Sequence, residues 1–352
     1  YINSKGRCRN VSPFFCDLNI CMESQKNILF LNYHVVSYLQ FCTRKGTSGE
    51  KVQEEIKHVR EALKSDKNVV FIDWEHERVL RYLSAYNFVG FEEILGEYYN
   101  TNKWAVSIPT FGHTDFGTRQ IHNLDFLIYV NSFNKDFDTS QIDHSKKVKD
   151  FVYLNGKPHP HRVNLLKEMK YHKLLENSIW SASSPYHQWN EMETKLPSEY
   201  ELPEWQGKSV DGYHDTTRQV NFPMYNDSIC TVVPETLADN DCHYITEKTC
   251  KPIMAEHLFV VLSGAGYLKN LRSLGFKTFG QHFDESYDDC VNLNERVSRI
   301  VATLKQIKSM DTDKLYEDTK HIRKHNRELF FDEDFYKDFN SAQIEKLKNF
   351  FS

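Results

Sequence analysis

At 352 residues the chain is too long for one small core and comfortable for two domains of ordinary size. Its 40% apolar and 26% charged residues are normal for a soluble globular protein, and a 14% aromatic fraction favours a well-packed interior without naming a ligand. A net charge of −5 argues against a protein that lives on duplex nucleic acid, although a groove for a small phosphorylated ligand needs only a few Lys and Arg. Residues 1–25 are polar, carry Cys8, Cys16 and Cys21 and show no period, so they read as an N-terminal arm. None of the eight Cys forms a CxxC pair or a metal-type spacing with His, so no metal is expected. The sequons at Asn10 and Asn226 are triplets that arise often by chance.

Asn27-Ile-Leu-Phe-Leu-Asn32 and Asn68-Val-Val-Phe-Ile-Asp73 are short apolar runs of the kind that form buried parallel strands. Between them Val52, Ile56, Val59 and Leu63 recur at helical spacing. Residues 75–99 read as further helix, and residues 104–108 and 124–130 as two more strands. The polar residues 132–148 read as a linker and a domain boundary.

The alternation then starts again. Asp150-Phe-Val-Tyr-Leu-Asn155 is a predicted strand, Gly156-Lys-Pro-His-Pro-His161 a turn, residues 162–175 a helix and residues 178–181 a strand. Residues 184–227 are long, polar and rich in Pro, Tyr and Trp, as functional loops or insertions are. Ser228-Ile-Cys-Thr-Val-Val233 and His257-Leu-Phe-Val-Val-Leu262 are strands on either side of a helix that begins near Thr246. Gly264-Ala-Gly266 turns into a helix carrying Leu268 and Leu271. Val297, Ile300, Val301, Leu304 and Ile307 form one helix face, and the C-terminal residues are helical and charged. Strands alternating with helices twice over predict two similar α/β domains with parallel sheets.

The chemistry concentrates around Tyr244-Ile-Thr-Glu-Lys248. A helix N-terminus offers free N–H groups and partial positive charge, a natural seat for a diphosphate. Lys248 adds a full charge, Glu247 can accept from two ribose hydroxyls, and Tyr244 can stack on a base or close over a sugar. Read on its own, the same stretch is also an ordinary surface helix capped by Thr246. Asp284, Glu285 and Asp288 form an acidic cluster beside Tyr287 that reads as a solvated helix start, with acceptor hydroxyls or a divalent ion as its other possible ligands.

Tyr244-Ile-Thr-Glu-Lys248 resembles the Tyr-x-Thr-Glu-Lys motif of the α1,3-fucosyltransferase family, inverting enzymes of the GT-B fold that use GDP-fucose. Upstream, Val-Val-Pro-Glu235-Thr is similar to that family's strand ending in Phe-Glu-Asn, with Thr236 in place of the Asn and Pro234 in place of the aromatic. Leu154-Asn155-Gly-Lys157-Pro-His-Pro-His-Arg162 is similar to its strand, Ser-Asn turn and Arg-headed helix. Both blocks also resemble a looser group of phage and marine-bacterial glycosyltransferases, whose pattern residues 276–279 and 283–288 complete. The likeness covers roughly residues 150–310.

The resemblance implies an α/β, GT-B-like protein with two Rossmann-like domains facing across a cleft. Residues 1–25 would be the arm and 26–148 the Rossmann-like acceptor domain. Residues 149–315 would bind the nucleotide sugar, and the helices of 316–352 would pack back on the N-terminal domain. Asn155, Lys157, Arg162, Tyr244, Thr246, Glu247 and Lys248 would hold the donor, with Arg162 on the diphosphate. An inverting transfer needs one carboxylate as general base. Asp73 and Glu75, which follow the second strand, are favoured over Asp115 and Asp125, while Glu235 is expected either to orient Lys248 or the donor within the catalytic site or simply to cap a loop. The expected function is hexosyl transfer, fucosyltransferase-like, from a nucleotide sugar (GDP-linked favoured) to a glycan or other hydroxyl acceptor, with no further cofactor. The other classes kept open are a non-catalytic nucleotide-sugar or glycan binder, a DNA-base glycosyltransferase, which the acidic charge disfavours, and a structural α/β virion or surface protein. No nucleic acid partner and no membrane segment are expected, and a cytoplasmic location in a bacterium or viral host follows, or a lumenal one after loss of an anchor.

Overall fold

The computed structural model of the protein describes residues 28–32, 57, 59–72, 95–108, 110–111, 117–132, 139–145, 147–183, 189–200, 220–238, 240 and 243–352. The principal elements run, in chain order, β1 (Ile28–Asn32), β2 (Asn68–Ile72), β3 (Trp104–Ile108), β4 (Gln120–His122), α1 (Asp125–Ser132), β5 (Lys149–Asn155), α2 (Pro160–Tyr171), β6 (Ile179–Ala182), α3 (Phe222–Asp227), β7 (Ser228–Pro234), α4 (Glu247–Met254), β8 (Leu258–Leu262), α5 (Tyr267–Ser273), α6 (Leu293–Ser309), α7 (Thr312–Phe331) and α8 (Glu333–Phe351). The protein is therefore α/β, and among the described residues it has two four-stranded sheets whose strands pair in parallel. The expected arm over residues 1–25, the first four Cys, Cys242, Asn10 and the helix over residues 75–94 lie outside the described residues.

The chain forms two compact units. Among the described residues the first takes those up to Thr110, residues 117–129 and Glu333–Ser352, and the second takes Phe111 and residues 130–332. In the first unit the sheet order is β1-β2-β3-β4. Val69, Val70, Phe71, Ala105 and Val106 are all buried, as continuous apolar runs must be when both faces of a parallel sheet are covered. Leu347 of α8 joins Val70, Ala105 and Ile121 in one cluster. Gln343 of the same helix accepts from His122 N at 3.0 Å, which closes part of the open edge of β4. Val59 and Leu63, on the predicted helix face, are buried and helical.

One element departs from expectation. Residues 125–132 are helix, and the strand of that region is the shorter β4 before it. The apolar run there carries both signals, but among the described side chains Leu124, Leu127, Val130 and Asn131 are buried and Ile128 is not fully so, which is the spacing of a helix.

In the second unit the order is β8-β7-β5-β6. From β5 the chain crosses through α2 to β6 on one side, and later returns to lay β7 and β8 on the other. The C-terminal ends of β5 and β7 are therefore where the strand order reverses, the position at which open parallel sheets bind ligands. Local chemistry sets the helices around this point. Pro160 opens α2, where its fixed φ fits and its missing N–H is not needed. Thr246 caps α4 by accepting from Lys248 N at 3.3 Å. Gly266 caps α5 at φ 85, a conformation that glycine adopts without strain. Asn292 and Asp311 cap α6 and α7 through their side chains. No helix among the described residues is long and apolar enough to cross a membrane.

Candidate functional site

Asn155 ends β5 and Glu235 follows β7 directly, so the two blocks singled out in the sequence meet at the strand-order reversal. Glu235 is the joint between them. Its carbonyl accepts from Arg162 Nη2 at 3.1 Å and His161 Nε2 at 2.9 Å, both from the first turn of α2. A carbonyl only accepts, so His161 carries its proton on Nε2.

The Glu235 carboxylate faces the other way, toward α4 and α5, and is 0% exposed. Among the described residues it accepts from five donors: Thr246 N at 3.1 Å, Thr246 Oγ1 at 2.6 Å, Thr249 Oγ1 at 2.6 Å, Tyr267 OH at 3.1 Å and Thr236 N at 3.2 Å. A buried charge survives only when hydrogen bonded in this way. Its carboxylate therefore orients the start of α4. Saturated and out of contact with solvent, it lacks the geometry of a base that meets an acceptor hydroxyl.

Lys248 and Glu247 form an ion pair at 2.9 Å, with side chains 25% and 17% exposed. Burial pushes the Glu247 carboxyl up, but Lys248 and Lys251 outweigh it and hold the group below its ordinary value. Burial likewise pushes Lys248 down, and Glu247 and Glu235 outweigh it, so the ammonium is held above its ordinary value. The pair is thus ionised at neutral pH. Lys248 Nζ also donates to Thr236 Oγ1 at 3.1 Å and Thr246 Oγ1 at 3.2 Å. Thr236, where the resembled family has Asn, therefore helps to hold the ammonium.

Of the other predicted donor residues, Lys157 is exposed on the turn, and its carbonyl accepts from Arg162 Nη1 at 3.4 Å. Arg162 and Asn155 are buried. Tyr244 is also buried, within the core, so its ring does not offer a free face for stacking. Asp73, Glu75 and Asp115 lie outside the described residues, and Asp125 opens α1.

The acidic cluster is a solvated helix start only at Asp284, which is exposed and accepts from Ser286 N at 2.9 Å at the head of a short helical turn over Ser286–Asp289. Asp288 is buried, and its carboxylate accepts from Leu268 N at 2.8 Å and Lys269 N at 3.1 Å, capping α5 from a distant segment. Glu285 accepts from Phe279 N and Thr278 Oγ1, each at 2.7 Å. His159 and His161 stack at 5.8 Å, and among the described residues no group of three or more His, Cys, Asp or Glu is placed to hold a metal.

Three residues near the site have no role of their own that the sequence alone assigns, although Thr249 directly follows the Tyr244–Lys248 motif. Thr249 and Tyr267 matter only because α4 and α5 both start beside Glu235. Arg296 is fully buried and donates to the carbonyls of Ser263, Cys290 and Ala238 and to Asn240 Oδ1, tying together the loops that follow β7 and β8. Its signal was present: it lies four residues before Ile300 on the stripe that continues through Leu304 and Ile307. Compared with known proteins, the chain matches no protein-family model, no curated protein and no solved structure.

Proposed function

We propose that the protein is a glycosyltransferase that moves a sugar from a nucleotide-sugar donor, GDP-linked by resemblance, to a hydroxyl acceptor with inversion. The observation that carries this reading is the convergence of Arg162, which bonds the Glu235 carbonyl, and Lys248, joined to the Glu235 carboxylate through Thr246 Oγ1, at the strand-order reversal of a parallel sheet. Two cationic side chains at two helix starts suit a diphosphate, whose charge grows as the sugar leaves. Glu247, ionised and partly exposed, suits the ribose hydroxyls. In this reading the two parallel-sheet units are the two halves of a GT-B-type enzyme, the second holding the donor and the first supplying the acceptor site and, from Asp73 or Glu75, the general base.

Two measurements test it. A thermal-shift screen against GDP-, UDP- and CDP-sugars should raise the melting temperature for one base, since a ligand at a hundred times its Kd adds about 2.7 kcal/mol. Arg162→Ala and Lys248→Ala should each abolish donor turnover with the circular dichroism spectrum retained. Full activity in either variant removes the diphosphate assignment, and nucleotide binding without any turnover makes the protein a binder.

A further inference from the structure

The Lys248 ammonium has three N–H donors. Each has an acceptor among the described residues: Thr236 Oγ1, Thr246 Oγ1 and Glu247 Oε1. Two of these are neutral hydroxyl oxygens, and Thr246 Oγ1 is itself fixed by its bond to Glu235 at 2.6 Å. The third is a partly exposed carboxylate. Thr236 and Thr246 are buried, so an anion that approaches Lys248 from solvent meets Glu247 and competes with it. The displaced carboxylate then stands beside a second negative charge with only acceptor oxygens to offer.

A second observation points to a ligand with hydroxyls. Asn155 is 4% exposed, its amide N–H lies against the Tyr153 hydroxyl, and its amide oxygen has no hydrogen-bond partner among the described residues. The backbone that carries it is fixed, with Asn155 O accepting from Ser183 N at 3.0 Å and Gly156 O from Trp189 Nε1 at 2.7 Å. Tyr153, two residues earlier on the same strand face, donates to Arg162 O at 2.9 Å, so Asn155 belongs to the Arg162 side of the sheet. A buried amide oxygen left unmet suits a group that can donate to it, as a hydroxyl does and a phosphate dianion does not.

We infer that Glu247 is an internal competitor for the Lys248 anion subsite, relieved only by a ligand whose hydroxyls lie close to its phosphates. Bare phosphate strands Glu247, whereas a phosphorylated polyol gives the released carboxylate O–H donors. The site thus selects by exchange of partners. The nature of the polyol rests on the nucleotide-sugar reading, while the exchange between Glu247 and Lys248 does not.

The test is calorimetric titration of the full chain with inorganic pyrophosphate and with GDP, UDP and CDP, in the wild type, Glu247→Gln and Glu247→Asp. Asp keeps the charge and shortens the reach to Lys248, which separates partner exchange from simple loss of charge. Pyrophosphate should bind both variants about tenfold more tightly than the wild type, and the nucleotide preferred by the wild type should gain nothing. Equal gains for pyrophosphate and nucleotide in Glu247→Gln, with none in Glu247→Asp, overturn the inference, as does unchanged pyrophosphate affinity. A pyrophosphate gain in both variants, with no nucleotide binding the wild type better than pyrophosphate, overturns the nucleotide-sugar reading and leaves the competition supported.

Discussion

Replacing Glu235 by Gln changes one atom of a side chain that touches α4, α5 and the loop after β7. Oε1 receives Thr246 N, Thr249 Oγ1 and Tyr267 OH, and Oε2 receives Thr236 N and Thr246 Oγ1. Hydroxyls can rotate to accept from an amide, but a backbone N–H cannot. Whichever way the new amide turns, its NH2 faces either Thr246 N or Thr236 N, and one buried donor is stranded. That mismatch costs about 1–3 kcal/mol, and weakening charge-assisted bonds to neutral ones adds about 1 kcal/mol, for a total of about 2–4 kcal/mol. The assay is urea unfolding of the full chain followed by hydrogen exchange across Ile245–Met254, since two units need not unfold in one step. Exchange should accelerate there first. A loss below about 0.5 kcal/mol, within the range of an ordinary surface substitution, refutes the view that this carboxylate organises the site.

Other outcomes follow from the same structure. His144 donates from Nε2 to Ala255 O at 3.1 Å and accepts at Nδ1 from Lys147, and its pKa falls to about 3 through burial first, then Lys147 and Arg323. Below about pH 6.5 the unfolded chain binds a proton that the folded chain refuses, so stability drops as pH falls, by up to about 1.4 kcal/mol per unit until the folded pKa is reached. Melting curves of His144→Gln should show a shallower decline than the wild type between pH 6.5 and 5. Arg296→Met should strand several buried carbonyls and lose about 3 kcal/mol, or roughly 6–12 °C in melting temperature. Gly266→Ala should cost about 1–2 kcal/mol through its positive φ. Its new Cβ would meet His243 Cε1 at an ordinary 3.5 Å, so a serine there should cost nearly the same as alanine, as melting temperatures will show.

Much of the second unit was legible in the chain. Residues 150–155, 228–233 and 258–262 are apolar-rich runs of strand length, the last wholly apolar, and each is a strand of the parallel sheet. Thr246 and Pro160 mark helix starts by local capping and φ chemistry, which needs no distant partner. Residues 124–130 were misread because a short apolar run fits either period until its neighbours choose the buried face.

What the sequence by itself determined is therefore local: the strand runs, the caps, and the order of the Asn155–Arg162 and Glu235–Lys248 blocks. What only the tertiary structure decided is which groups are buried and what meets them. Glu235 looks like any carboxylate after a strand, and becomes a joint because β5, β7, α4 and α5 end or begin around it. Asp288 reads as solvated, and is buried because α5, some twenty residues earlier, presents its unsatisfied N–H groups there. Tyr244 reads as a ligand's stacking partner and is core. Burial and hydrogen-bond partnership are properties of chain segments brought together from far apart, and neither period nor composition carries them.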